Sequence, residues 1–145
     1  MADIATRTKA GFFKLGGSYF AVDQVYLRQV VSVTKVTPVP RSHASLLGLF
    51  AFRGTILPLI DLGALLGFTF KNRLLDLAIV TEYKEQSFAI SLDEMLGFFS
   101  YQEMLDADQP HPLQSFGKPL SDTHQTLLLD IPRVVEHMDR YLVVM

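Results

Sequence analysis

The chain has 145 residues, no cysteine, no tryptophan, 49% hydrophobic residues and 13 basic against 15 acidic side chains, for a net charge of -2. That length supports one compact unit with a core of its own, and the lack of cysteine excludes a disulfide scaffold, thiolate metal sites and thiol catalysis. A pI of about 6.0 without any Lys/Arg block argues against a partner held through its phosphates.

The first residues, Met1 to Lys9, are polar and lack the apolar stretch of a secretory signal, so the cytosol is the expected compartment. Short apolar or alternating runs rich in Val, Ile, Phe and Tyr follow, which predicts strands. The first two, Gly11–Leu15 and Ser18–Val22, are joined by Gly16-Gly17, a pair that reaches the positive φ of a tight hairpin without steric cost. Val25–Val33, Leu46–Phe52 and Thr55–Ile60 come next, then a short helix at Leu62–Leu66 and a surface crossing at Lys71–Leu75. Asp76–Glu82 and Ser87–Leu92 form a second hairpin about Lys84-Glu85-Gln86, followed by a strand at Met95–Phe99 and a short helix at Tyr101–Asp106. Asp106 to Thr123, with three prolines and a glycine, reads as the longest irregular segment. A last strand, Thr126–Ile131, leads into a helix at Pro132–Tyr141 that places Val134, Val135 and Met138 on one stripe.

The fold class this predicts is mostly β. No membrane insertion is expected, because the greasiest region, Leu46 to Leu66, is interrupted by Gly48, Arg53, Gly54, Pro58, Asp61 and Gly63. Set against itself at an offset of 68 (Phe20 onto Phe88), the chain shows an echo. Phe20-Ala21-Val22 returns as Phe88-Ala89-Ile90, Leu27 falls on Met95, and Val30-Val31 on Phe98-Phe99. Such an echo implies two similar β subdomains, about 11–70 and 71–140, within a single domain spanning the chain.

Reactive constellations are not evident. His43, His111, His124 and His137 have no ligand spacing, and Ser42, Ser115 and Ser121 lack a nucleophile elbow. The glycine pairs are not followed by the Lys-Ser/Thr of a phosphate loop. Asp23, Asp61, Asp93 and Asp130 each sit within or just after a strand, where turns and caps use carboxylates. Neither an enzyme nor a cofactor is expected.

One segment differs in kind. From Leu47 to Leu62 two apolar runs flank Arg53-Gly54, which places a cation at a turn between two buried strands. Its aliphatic stem could cover the barrel edge, or its planar five-donor head could meet a partner's carboxylate or carbonyls from a rigid frame. Pro58 lacks a ladder donor, so its strand should be an edge or bulged there.

With its Gly48, Arg53-Gly54, Pro58 and Asp61-Leu62 in order, this block resembles that of the CheW family, the cytosolic coupling proteins of bacterial chemosensory arrays. Tyr19 to Asp23 with Val25 and Leu27, Phe88-Ala89-Ile90 with Asp93, and Leu127 to Ile131 extend the resemblance from Gly11 to about Met138. The resemblance implies an all-β fold of two intertwined five-stranded SH3-like barrels with a few short helices. It also implies an adaptor without enzymatic activity, whose partners are the regulatory domain of a CheA-type histidine kinase and the cytoplasmic tip of a methyl-accepting chemoreceptor. Matching positions put Arg53, Gln29, Leu27, Gly48 and Gly54 in the partner-binding region. Three positions depart from the family pattern: Gln29 replaces glutamate, Ala51 asparagine and Gly63 arginine. Such a divergent copy could serve a chemosensory system with another output, such as type IV pili.

Two other readings compete. Phe12, Phe13, Tyr19 and Phe20 could form a stacking platform for a small ligand or single-stranded nucleic acid, although their alternation favours the core. The apolar tail Tyr141 to Met145 could drive self-association.

Overall fold

A computed structural model describes residues 9–67, 76–101, 116–120 and 125–142, the last two by their backbone. The strands are β1 (Lys9–Leu15), β2 (Ser18–Asp23), β3 (Leu27–Ser32), β4 (Leu46–Phe52), β5 (Thr55–Ile60), β6 (Leu77–Tyr83), β7 (Gln86–Ser91), β8 (Glu94–Ser100), β9 (Gly117–Pro119) and β10 (Leu127–Leu129). Helix α1 (Leu62–Leu66) follows β5, and α2 (Ile131–Leu142) follows β10. The chain is therefore mostly strand, as predicted.

Ten strands divide into two five-stranded sheets of order β8-β1-β2-β10-β9 and β3-β6-β7-β5-β4. The offset from Lys9 to Leu77 carries β1 onto β6 and β2 onto β7, and places the start of β3 within β8. Each sheet thus repeats the other's order with strands drawn from both halves of the chain. The two central hairpins take their parallel neighbours at matching places: Phe20 and Ala21 lie beside Leu127 and Leu128, Ala89 and Ile90 beside Leu59 and Ile60.

Alternation then sorts the repeated triplets. Phe20, Val22, Phe88 and Ile90 all enter the main core between the sheets, with Phe13, Ile60 and Ile79. Ala21 joins Ala10 and Leu128 in one smaller cluster, while Ala89 joins Leu57, Leu59 and Val80 in the other. Small alanines fill these two secondary cores because a strand's neighbouring residues must point to opposite faces. Helix α2 buries Ile131, Val134, Val135 and Met138 against the main core, the i, i+3, i+4, i+7 stripe of an amphipathic helix. Asp61 and Asp130 open the two helices, their carboxylates accepting from the amides of Ala64 (3.4 Å) and Arg133 (3.2 Å).

Some expectations need adjustment. β3 runs from Leu27, not Val25, because residues 24–26 form a turn. The second hairpin turns on two residues, Lys84 and Glu85, both at positive φ (48° and 62°), and not on a longer loop. β9 lies inside the segment read as irregular; three residues with a proline carry no strand pattern, and pairing with β10 defines them. β5 is an interior strand, but its parallel pairing with β7 involves only Leu59 and Ile60, so Pro58 sits on a stretch with β4 as its ladder partner. The crossing at Lys71–Leu75 and the helix expected beyond Tyr101 lie outside the described residues. No helix among the described residues is long and apolar enough to cross a membrane.

Candidate functional site

β4 and β5 meet in a two-residue turn at Arg53 and Gly54, with φ of 50° and 79°. Two successive positive φ values give the primed turn whose twist matches paired strands. Arg53 pays a left-handed backbone for this place, and its guanidinium lies over the Phe52 ring at 5.2 Å from the centroid. The side chain is exposed at the hairpin tip.

Beside it opens a cleft of about 370 Å³ whose walls include Arg28, Gln29, Phe52, Arg53, Thr55 and Glu82. A β-bulge in β3 shapes one wall: Leu27 stands opposite Thr81 and Gln29 opposite Val80, so Arg28 is the extra residue. Arg28 forms an ion pair with Glu82 across the cleft. Arg53 has no ion pair among the described residues. Two cations and one carboxylate leave the cleft with a net positive charge.

The five residues singled out from the sequence do not all gather here. Arg53 and Gln29 share the cleft, with Gly54 completing the turn. Leu27 is half-buried and packs on the main core. Gly48 is buried in a bulge of β4 under Val36 and Thr37. Arg28 and Glu82 were not singled out, because a bulge leaves no mark on hydrophobic periodicity and their pairing spans residues 54 positions apart in sequence, Arg28 to Glu82.

A second, more apolar groove of about 540 Å³ flanks the same hairpin, with Val33, Thr37, Leu49, Phe50, Ala51 and Ile56 in its walls. Ile56 is 62% exposed there. On the other sheet the edge strand β8 exposes Leu96, Phe98 and Phe99.

Elsewhere the polar groups do structural work. Asp23 accepts from the Tyr101 hydroxyl at 2.5 Å and from the Val25 amide, and Asp93 accepts from the Gly16 amide at 2.7 Å. His43 Nδ1 meets the buried Ser45 hydroxyl at 2.8 Å, and His137 Nε2 meets the Leu65 carbonyl at 3.0 Å. Among the described residues no three His, Asp or Glu side chains converge as a metal site would require. A four-ring platform does not form either: Phe13 and Phe20 are buried in the core, stacked at 5.7 Å, which leaves Phe12 and Tyr19 half-buried.

Comparison with known proteins points one way. A model of the CheW-like domain matches residues 9–139. The chain is 25% identical over 143 residues to the chemotaxis protein CheW of Thermotoga maritima, covering 95% of this chain and 94% of that protein. It is 40% identical over 55 residues to a probable chemotaxis protein CheW of Rhizobium etli, covering 38% of this chain and 36% of that protein. Scaffolding protein TtCheW from Thermoanaerobacter tengcongensis shares the fold, with a TM-score of 0.75 at 17% identity over 87% of this chain and 86% of that one.

Proposed function

The chain belongs to the CheW-like family, and on that premise we propose that this chemotaxis scaffold is a non-catalytic cytosolic adaptor joining a methyl-accepting receptor to a CheA-type histidine kinase. One face of the paired barrels docks on the kinase regulatory domain, and the Arg53 cleft with its surroundings takes the receptor's cytoplasmic tip. The observation that carries the reading is the β4–β5 hairpin, which presents an exposed guanidinium on a rigid turn between two concave surfaces. Binding sites on rigid elements lose little entropy when a partner arrives.

Co-sedimentation of the full chain with the receptor cytoplasmic fragment and the kinase regulatory domain encoded with it tests the proposal. Retention with both is the expected result. A folded protein retained by neither overturns it.

A further inference from the structure

We infer that the Arg53 cleft takes a carboxylate, an Asp or Glu side chain presented by the receptor tip; this deepens the adaptor reading and rests on it. The charge pattern of the cleft carries the argument. Of its two arginines, Arg28 is already matched by Glu82, whereas Arg53 has only the Phe52 ring beside it. The other polar walls, Gln29, Thr55 and Ser87, are neutral, so the surplus is a single positive charge. One carboxylate balances it; a phosphate group, at close to two negative charges, overshoots.

Geometry favours the same ligand. A guanidinium donates through a planar fork that fits both oxygens of a carboxylate, and a fork held in place by its backbone loses less freedom on binding. Arg53 is held twice, by the two-residue turn and by the Phe52 face. The Gln29 amide sits in the same cleft, with two N–H donors for an oxygen the guanidinium leaves open. An apolar knob would strip water from Arg53 without replacing its hydrogen bonds.

The discriminating substitution is Gln29→Glu, which installs a carboxylate inside the cleft next to Arg53. If the receptor supplies the carboxylate, the internal one competes with it and repels it. Affinity for the receptor cytoplasmic fragment is measured by titration of the full chain and its variants at low and at high salt. Gln29→Glu and Arg53→Gln are each expected to weaken binding about tenfold, one step of the affinity scale, with Arg53→Lys falling between them and wild type. Wild-type binding is expected to weaken with salt and that of Arg53→Gln much less. Unchanged or tighter binding by Gln29→Glu overturns the inference while the adaptor reading stands. Loss confined to the kinase regulatory domain also overturns it. Failure of wild type to bind receptor or kinase removes the adaptor reading and this inference together. Thermal midpoints establish that each variant is folded, and the Arg53 variants, altered only at an exposed tip, keep the test decisive if Gln29→Glu is unstable.

Discussion

Gly48 lies so close beneath Thr37 that a Cβ at residue 48 would stand 2.6 Å from the Thr37 carbonyl oxygen and 2.5 Å from Val36 Cγ1. Its φ of 150° already disfavours any side chain. Retreat of the 36–37 segment is blocked, because Thr37 and Leu49 exchange both backbone hydrogen bonds at 2.8 Å. Gly48→Ala is therefore expected to cost about 2–4 kcal/mol, combining backbone strain with overpacking. Urea denaturation reads the loss directly. A variant as stable as wild type would show that Gly48 is kept for a reason other than this contact.

Gly54 offers the contrast. Its φ of 79° is equally left-handed, but a Cβ there meets nothing within 4 Å. Only the conformational penalty applies, so Gly54→Ala is expected to cost about 1 kcal/mol. The order of the two losses separates a packing glycine from a turn glycine, and equal losses would contradict the account.

Arg53 bears the same turn strain without glycine's freedom, at φ 50°. Replacing it by glycine relieves about 1 kcal/mol of left-handed strain. Because the side chain is exposed and unpaired by charge among the described residues, little stabilising contact is lost beyond its stacking on Phe52. Arg53→Gly is thus expected to raise the unfolding midpoint slightly while weakening receptor association, the trade expected of a strained binding residue. A lower midpoint would instead mark the arginine as a structural cover for the barrel edge.

Most of the fold was legible in the sequence because alternation is written residue by residue. Phe20-Ala21-Val22 and Phe88-Ala89-Ile90 each show the large-small-large pattern of a strand with a crowded face and a tight one, and their shared neighbours gave away the duplication. The candidate site was legible only in part. Arg53-Gly54 announced itself as a turn, but the Arg28–Glu82 pair depends on a bulge and on the β3–β6 pairing, neither of which leaves a local pattern. Leu27 and Gln29 look equivalent on a two-residue alternation, yet the bulge lies between them, so one packs on the core and the other lines the cleft. β9 was invisible for a related reason: its three residues are a strand through their partner, not their composition.

Phe88 and Phe20, the repeated large residues, are respectively 0% and 1% exposed in the same central core. Truncation of either opens a cavity between two sheets, each tied by its own ladders and poorly placed to collapse inward. Phe20→Ala and Phe88→Ala are each expected to lose about 3–5 kcal/mol. Denaturant midpoints of the two variants should agree closely if the sheets are equivalent in packing as well as in order. A loss of under about 1 kcal/mol at either site would show that its half of the core is loosely packed.

Tyr26 gives the fold a defined alkaline sensitivity. Burial pushes its hydroxyl above the ordinary tyrosine value, and the negative charges of Asp23 and Asp130, with Tyr83 beside them, push the same way. Its ring meets Tyr83 edge-on at 6.0 Å, so the phenol has no room to turn out without breaking that contact. The folded state then binds the phenolic proton more tightly than the unfolded chain does. By linkage, stability is at its full value below about pH 10, where both states are protonated. It declines as pH rises from there through the folded-state value, since ionisation proceeds first in the unfolded chain. Tyr26→Phe has no proton to lose, so its stability relative to wild type should be flat from pH 7 to pH 9 and should improve steadily above pH 10. Urea midpoints of the two proteins across that range provide the measurement, with lysine and other tyrosine titrations common to both. Parallel decline of the two curves would mean that the Tyr26 environment does not favour the neutral phenol.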